Sequence, residues 1–453
     1  QCLIILKRES NNIEIKKLLG KCYEKKELPI KAIKEYEDIF DSCNNDKDVI
    51  RSLAELYRNT EQIYSSIQVY EILAGLLTNN DEIAEVQLTL AELNEESKNY
   101  PAAFQAYKNR LEIYPTDIST NQKLIELYIR IKNYTKAIET LLYMATFVKE
   151  PKILLWVYEN LVTLYKETEE YTKAIEFSEK MLEIQGADKF KIRSDIANFN
   201  IKLNNYDTGI SILEELSMMS ENDYETTMEL AKSYILNNMY QEALDKYLIL
   251  LDKANQKEAK EIRLQICNLY IQWAISESEG ENYHKSYQYL DSAEQYNTIN
   301  PEIYYNIAYN KMKQKLAIEA VEYLSRALEF DKTKEFHPKY LLTLAEAHHD
   351  LGNFFEEKKA LTDLLKIDEN NANGLYRTGM MYIAQHDTKA AEEYLQKALS
   401  IDSNLLAAKY NLALIYENNN RDKAKELYIE LLEQDPSFED AKNALADLTT
   451  SDY

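Results

Sequence analysis

The side chains of this sequence that could do chemistry are five histidines and many carboxylates, because imidazole binds metal ions and both groups transfer protons. The histidines are His284, His337, His348, His349 and His386. His348 and His349 are adjacent, and adjacent residues on a helix point about 100° apart, so this pair cannot chelate one ion together. Paired acidic residues such as Glu392 and Glu393 are typical of a solvated helix face. The sequence therefore predicts no metal site and no acid–base pair.

Motifs of catalysis and nucleotide binding are missing from the sequence. It contains no HExxH, no GxSxG, no GxxxxGK[ST] and no GxGxxG. There are 8 glycines among 453 residues, too few to favour a loop that surrounds phosphate groups. The 4 cysteines are scattered without a CxxC spacing and are predicted to be reduced thiols. We therefore predict a protein that is not an enzyme and that binds no cofactor.

A series of mostly small residues that recur at a regular interval along the sequence indicates the helices that would position a binding site. We call its members the register positions: Ala32, Ser66, Ala103, Ala137, Ala174, Gly209, Ala243, Ser286, Ala320, Glu357, Ala391 and Ala424. Their intervals cluster on 34 residues, with one of 43 before Ser286. Tyrosines four residues later are predicted to lie in the core, with the hydroxyl at an edge: Tyr36, Tyr70, Tyr107 and Tyr247. The chain is thus built from internal repeats.

Residues 372–405 are the best-formed copy of the repeat. Leu375, Thr378, Gly379 and Tyr382 form an apolar stripe with the spacing of a helix. Ala391, Leu395, Ala398 and Leu399 form a second one. The short polar segment at 385–387 predicts a turn between the helices, and one such pair must stack on neighbours to bury both faces.

The spacing and the signature of both helices resemble the tetratricopeptide repeat. The closest matches are NYTKAIETL at 133–141, MYQEALDKY at 239–247 and AIEAVEYLSRAL at 317–328. The resemblance covers residues 13–436, about twelve units. It implies an all-α fold, a right-handed superhelical solenoid of stacked antiparallel helix pairs. It also implies that the first helices of successive repeats line a concave groove where peptides bind.

Departures from the repeat predict the domain boundaries. We expect the tail of a preceding repeat at 1–12, seven repeats at 13–255, an irregular eighth repeat with an insertion and a bend at 256–300, four repeats at 301–436, and a capping helix with a tail at 437–453. The first helix of the eighth repeat is expected to run on by more than a turn before Gly280 breaks it. Glu357 stands where other repeats have a small residue, so its helix pair must rotate or leave the acid at an edge.

The groove implied by the resemblance supplies the only candidate site. Projecting the register onto the last four repeats gives three rows: Tyr305, Leu342, Tyr376 and Tyr410; Asn306, Thr343, Arg377 and Asn411; Tyr309, Glu346, Met380 and Leu414. All of these residues except Glu346 are predicted to bind a peptide or protein. Aromatic rings would supply buried area, and amide or guanidinium groups would pair with a peptide. Among the residues with which chaperone adaptors of this family hold a carboxylate, only Arg377 matches here, so that clamp is not predicted.

Composition limits the partners and the compartment. The sequence has 77 acidic and 53 basic residues and a net charge of −24, so nucleic acids and anionic membranes are not expected partners. Protein or peptide partners remain, with basic segments or a second copy of the chain as alternatives. No run of 18 apolar residues predicts insertion into a membrane. The sequence begins with Gln1 and is expected to be part of a longer protein. A cytoplasmic location is favoured, and tethering to a membrane through a preceding segment is the alternative, since residues 2–6 resemble the end of an anchor helix.

Three functions are compatible with these observations. The first is a non-enzymatic scaffold that binds protein segments on its concave face. The second is a substrate-recruiting or regulatory arm of a larger enzyme or bacterial envelope machine. The third is a structural protein whose repeats assemble with copies of themselves.

Overall fold

A computed structural model describes residues 12–220 and 223–450, and these residues form 25 α-helices and no strand. Residue contacts divide the chain into two compact units between Leu216 and Ser217. The predicted tail of a preceding repeat and the predicted anchor remnant lie outside the described residues, apart from Asn12. The same holds for residues 451–453 of the predicted C-terminal tail. Nowhere in the described ranges does a helix have the length and apolar character needed to cross a membrane.

Twelve helices belong to the first unit, whose end falls within the last of them: α1 (Ile13–Glu24), α2 (Pro29–Phe40), α3 (Lys47–Asn59), α4 (Ile63–Leu76), α5 (Asn80–Glu96), α6 (Tyr100–Ile113), α7 (Ile118–Arg130), α8 (Tyr134–Phe147), α9 (Pro151–Glu167), α10 (Tyr171–Leu182), α11 (Lys189–Lys202) and α12 (Tyr206–Met219). The second unit contains the others: α13 (Tyr224–Leu236), α14 (Tyr240–Lys253), α15 (Gln256–Glu279), α16 (Tyr283–Tyr296), α17 (Pro301–Lys313), α18 (Ala317–Phe330), α19 (His337–Asp350), α20 (Phe354–Ile367), α21 (Ala372–Ala384), α22 (Thr388–Ile401), α23 (Leu406–Asn419), α24 (Arg421–Gln434) and α25 (Glu439–Thr450).

The helices pack in consecutive pairs, α1 with α2 through α23 with α24, and each pair is one repeat. The predicted all-α fold of stacked helix pairs is confirmed. The predicted long helix of the eighth repeat is α15, which has 24 residues, starts at a capping box formed by Asn255 and Glu258, and ends before Gly280. The final helix, α25, packs against α24.

One backbone feature recurs in the turn inside each pair. The residue five positions before the register position has a positive φ in eleven of the twelve repeats: Glu27, Glu61, Lys98, Lys132, Glu169, Asn204, Asn238, Glu281, Lys315, Gly352 and His386. A left-handed residue just after a helix lets the next amides bond back to the last carbonyls, as the Leu28 amide does to the Tyr23 carbonyl. Glycine adopts this conformation without strain, yet only Gly352 is glycine.

The small register residues permit close helix approach, and Gly209 gives a test. A Cβ at Gly209 would lie 2.7 Å from Cγ1 of Ile201 and 2.9 Å from the Ala197 carbonyl oxygen. Gly209→Ala should therefore destabilise the protein by about 1–3 kcal/mol in urea unfolding. Gly75 in α4 has open space around it, so the matched Gly75→Ala should stabilise by about 0.5–1 kcal/mol. Equal effects of the two changes would show that close packing at the register position is not what selects the small residue.

The predicted core tyrosines are buried. Tyr36, Tyr107 and Tyr247 are fully buried and Tyr70 is 5% exposed. The Tyr36 hydroxyl donates to Glu24, and the Tyr107 hydroxyl donates to Glu95 at 2.6 Å. The rings of Tyr36 and Tyr107 are thus anchored by a carboxylate at the end of the preceding helix, whereas the buried hydroxyl of Tyr247 has no hydrogen-bond partner among the described residues.

Of the two alternatives expected for Glu357, the one in which the acid lies at an edge is wrong. Its side chain is 3% exposed, and both carboxylate oxygens lie 3.2 Å from Nδ1 of His349 on α19. A buried carboxylate needs a hydrogen-bonding partner, and the histidine at the end of the facing helix supplies it.

Candidate functional site

The eleven predicted site residues lie on four first helices of the second unit. Tyr305, Asn306 and Tyr309 belong to α17, Leu342 and Thr343 to α19, Tyr376, Arg377 and Met380 to α21, and Tyr410, Asn411 and Leu414 to α23. Each of these four helices is the first helix of its repeat. Their side chains differ greatly in exposure and in the partners they already have.

The three residues of α17 line a cavity of about 490 Å³. Its other walls come from α15, α16, the turn at Glu281 and Lys339 of α19. Tyr305 is 9% exposed and stacks on Tyr340 at 5.1 Å between ring centroids. Tyr309 is 40% exposed, and its ring lies 6.3 Å from that of Tyr305. Tyr305 is therefore largely a core residue, and Tyr309 is the aromatic ring of α17 that a partner can reach.

A chain of polar groups forms one wall of this cavity. Ser278 donates to Oδ1 of Asn310. Nδ2 of Asn310 donates to Ser286 Oγ at 2.8 Å, and Ser286 Oγ donates to the Ala274 carbonyl at 2.7 Å. Asn310 and Ser286 are each 1% exposed. Sequence reasoning missed Asn310 and Ser278; the available signal was a polar asparagine on the buried stripe of α17.

Charged residues surround the cavity, and they differ in whether they have partners. Nζ of Lys339 lies 3.9 Å from the Tyr305 ring centroid and 3.5 Å from Oε2 of Glu302. Nζ of Lys313 lies 5.3 Å from the Tyr309 ring centroid and forms no ion pair within the described chain. The exposed carboxylates of Glu279 and Glu281 also lack an ion pair with any described residue. Burial raises the pKa of the Tyr305 hydroxyl, so the ring stays neutral.

Asn306 offers an acceptor inside the cavity. It is 9% exposed, and its Nδ2 donates to the Glu302 carbonyl at 2.7 Å. Its Oδ1 accepts no hydrogen bond from the described residues, although it belongs to the cavity wall. This oxygen is not among the fully buried polar atoms that lack a partner, so water or a ligand can supply its donor.

Four of the other predicted residues, Thr343, Arg377, Tyr410 and Asn411, have local partners. Nη2 of Arg377 pairs with Oε1 of Glu346 at 2.7 Å, which links α21 to α19. Thr343 and Asn411 donate to carbonyl oxygens one turn earlier in their own helices. Tyr410 lines a second cavity, of about 360 Å³, and its ring contacts Tyr428 and Phe438. That a single segment contacts all eleven residues stays a prediction.

Two histidines, His337 and His349, lie against carboxylates. Nδ1 of His337 lies 3.0 Å from Oδ2 of Asp331. Although burial opposes ionisation, the hydrogen bonds from His337, Thr333 and the Phe336 amide hold the pKa of Asp331 below its usual range. Burial lowers the pKa of His348. No group of three potential metal ligands occurs in residues 12–220 and 223–450.

Parts of the chain match models of the repeat and two curated proteins. Models of the tetratricopeptide repeat match residues 157–188, 301–334 and 382–448. Protein O-mannosyl-transferase TMTC3 of Homo sapiens is 26% identical over 210 residues, 42% of this chain and 22% of that protein. Peptidyl-prolyl cis-trans isomerase FKBP4 of Homo sapiens is 32% identical over 114 residues, 25% of this chain and 24% of that protein.

Among solved structures, Naa15/Naa10 bound to HypK-THB aligns with a TM-score of 0.43 and 13% identity over 100% of this chain and 75% of that one. The chain spans less than a quarter of the length of the curated relatives TMTC3 and FKBP4.

Proposed function

Because the chain belongs to the tetratricopeptide-repeat family, we propose that it is a non-enzymatic scaffold that binds an extended segment of a partner protein on the first helices of its last four complete repeats. The tetratricopeptide-repeat fold is typically a non-catalytic scaffold. Its repeats support a general role in protein interaction.

The cavity beside Tyr309 is the observation that carries this proposal. A volume of about 490 Å³ is large enough for a side chain of a partner, and concave sites with a few polar groups are where ligands bind. An accessible aromatic ring beside a buried polar wall is the kind of centre at which interface energy concentrates. The half-buried rings of Tyr376 and Tyr410 on α21 and α23 extend the proposed contact surface along the same series of helices.

Charge defines the kind of partner we propose. A net charge of −24 attracts basic segments and repels phosphate backbones. The two carboxylates at the cavity without ion pairs act in the same direction as this overall field. The proposed partner is therefore a protein with an exposed, extended and basic segment.

The relatives favour one second candidate, a recruiting arm within a larger enzyme. The matched regions make up less than a quarter of a mannosyl-transferase and of a prolyl isomerase. In that case the groove would bind substrates of a catalytic part of the same protein. Captured partners would then carry the modification which that part makes.

The proposal is tested by comparing two exposed tyrosines. Tyr309→Glu should reduce capture of partners from extracts of the source cells by more than tenfold, because it removes a central ring and adds charge beside Glu279 and Glu281. Tyr64 on α4 is 76% exposed, so Tyr64→Glu is the matched control and should capture the same partners as the unaltered chain. Quantitative mass spectrometry measures capture, and circular dichroism verifies that both variants keep their helices. Undiminished capture by Tyr309→Glu would contradict the proposal.

A further inference from the structure

The cavity of α15 and α17 has an excess of hydrogen-bond acceptors. The Oδ1 of Asn306 accepts no hydrogen bond from the described residues, and the carboxylates of Glu279 and Glu281 have no ion pair in the described chain. Glu279 ends α15, and Glu281 is the left-handed residue of the following turn. Asn306 is 9% exposed, whereas both glutamates are exposed.

Most hydrogen-bond donors in the cavity wall already have an acceptor. Nζ of Lys339 is held between Glu302 and the Tyr305 ring. Nδ2 of Asn310 donates to Ser286, and Nδ2 of Asn306 donates to the Glu302 carbonyl. Lys313 is the one cationic side chain of the cavity wall without an ion pair among the described residues, and its Nζ lies against Tyr309. The cavity wall therefore contains two carboxylates and one ammonium group without ion pairs among the described residues.

We infer that this cavity binds an arginine side chain of the partner segment, with the guanidinium beside the Tyr309 ring and donating to Glu279, Glu281 and the carbonyl oxygen of Asn306. This inference rests on the proposed function and names the residue that the site selects. A guanidinium has five N–H donors in one plane, so it can satisfy several acceptors at once and stack on an aromatic face. A lysine ammonium is a compact charge that does not stack in this way.

An acidic side chain would fit the cavity less well. It could pair with Lys313, but it would meet the two glutamates and leave the Asn306 oxygen without a donor. Neutral amides could donate to Asn306 but would not neutralise the glutamates. Arginine satisfies both groups, and the negative field of the whole chain favours its approach.

Fluorescence anisotropy with peptide pools tests the inference on the 453-residue chain. Each pool contains labelled octapeptides with one central position fixed as arginine, citrulline, lysine or aspartate, and mixtures of uncharged residues elsewhere. Citrulline has the shape of arginine without its charge. The arginine pool should bind about ten- to hundredfold more tightly than the citrulline pool, as expected for charge-assisted hydrogen bonds. The lysine pool should lie between them.

Matched variants show whether the preference arises in the cavity. Glu279→Gln together with Glu281→Gln should weaken binding of the arginine pool about tenfold and leave the citrulline pool unchanged. Glu322 and Glu329 on α18 are exposed and lie outside the cavity wall. Changing both to Gln removes the same charge and should alter neither pool.

The outcomes separate this inference from the proposed function. If all pools bind equally and Tyr309→Ala weakens the binding of all of them, the groove is supported and the arginine site is contradicted. Tightest binding of the aspartate pool, lost in Lys313→Ala, would contradict the arginine site. The arginine site would also be contradicted if changing Glu322 and Glu329 to Gln weakened binding of the arginine pool as much as changing Glu279 and Glu281 to Gln does. If no pool binds, or if Tyr309→Ala leaves every pool unaffected, both the groove and the arginine site are contradicted.

Discussion

Replacing His349 with alanine should destabilise the tenth repeat by about 1–3 kcal/mol. His349 Nδ1 lies 3.2 Å from both carboxylate oxygens of Glu357, which is 3% exposed. Removing one partner of a buried pair leaves the other without its hydrogen bonds in a medium of low dielectric constant, which costs about 3–5 kcal/mol for a fully buried pair. The His349 side chain is 46% exposed, so water compensates part of this loss and the smaller value is expected.

Hydrogen exchange of the amides in α19 and α20 measures the effect, because solenoid repeats open locally. The control is Glu357→Ala, which installs the small residue found at the other register positions. In that background His349→Ala should cost less than about 0.5 kcal/mol, since the carboxylate that needed the histidine is gone. An equal cost of His349→Ala with and without Glu357 would show that the two side chains are not coupled.

Raising the pH above 10 should unfold the protein cooperatively as its buried tyrosines ionise. Burial and a hydrogen bond to a carboxylate hold the pKa of Tyr107, Tyr340 and Tyr428 far above the usual range. Burial raises the pKa of Tyr247 to about 12, and burial with a bond to Glu294 does the same for Tyr304. An ionised phenolate would lie in the core, and at Tyr107, Tyr340, Tyr428 and Tyr304 also beside a carboxylate.

The direction of the pH effect on stability follows from the difference between the tyrosine pKa in the folded and in the unfolded protein. The folded pKa of these tyrosines exceeds the unfolded value of about 10. Their contribution to stability is therefore complete below pH 10 and is lost as the pH rises towards the folded pKa. Each such tyrosine removes up to about 1.4 kcal/mol of stability per pH unit above 10, and several act together.

Phenolate absorbance at 295 nm and circular dichroism at 222 nm, followed between pH 8 and 12.5, measure this coupling. The absorbance of the buried tyrosines should rise together with the loss of helix. Tyr107→Phe removes one coupled group, so stability should fall less steeply with pH above 10. Ionisation of all 36 tyrosines while the helical signal is intact would contradict the account.

The fold could be predicted because its causes are local and repeated. The 34-residue interval, the small register residues and the tyrosines four residues later define each helix pair without knowledge of distant contacts. The positive φ in the turn could not be predicted in the same way. Glutamate, lysine, asparagine and histidine occupy that position, and none of them signals a left-handed backbone as glycine does.

The site was predictable only in part, because its geometry depends on packing between repeats. Tyr305 was expected at the surface, but Tyr340 and Lys339 from the next repeat cover its ring. The cavity wall joins Ser278 of α15 to Asn310 of α17, two residues 32 positions apart. Nothing in the local sequence around either residue indicates this contact. Arg377 was expected to be available to a ligand, and its pairing with Glu346 across two repeats was equally hidden.

The central claim is that a partner segment lies at the cavity beside Tyr309, and site-specific photo-crosslinking tests it most directly. A benzophenone amino acid replaces Tyr309 in one version of the chain and Tyr64 in the other, and both versions are irradiated in cells of the source organism. We expect position 309 to crosslink to an extended, arginine-containing segment of a partner and position 64 not to do so. Crosslinks from position 64 to the same partner, with none from position 309, would contradict it.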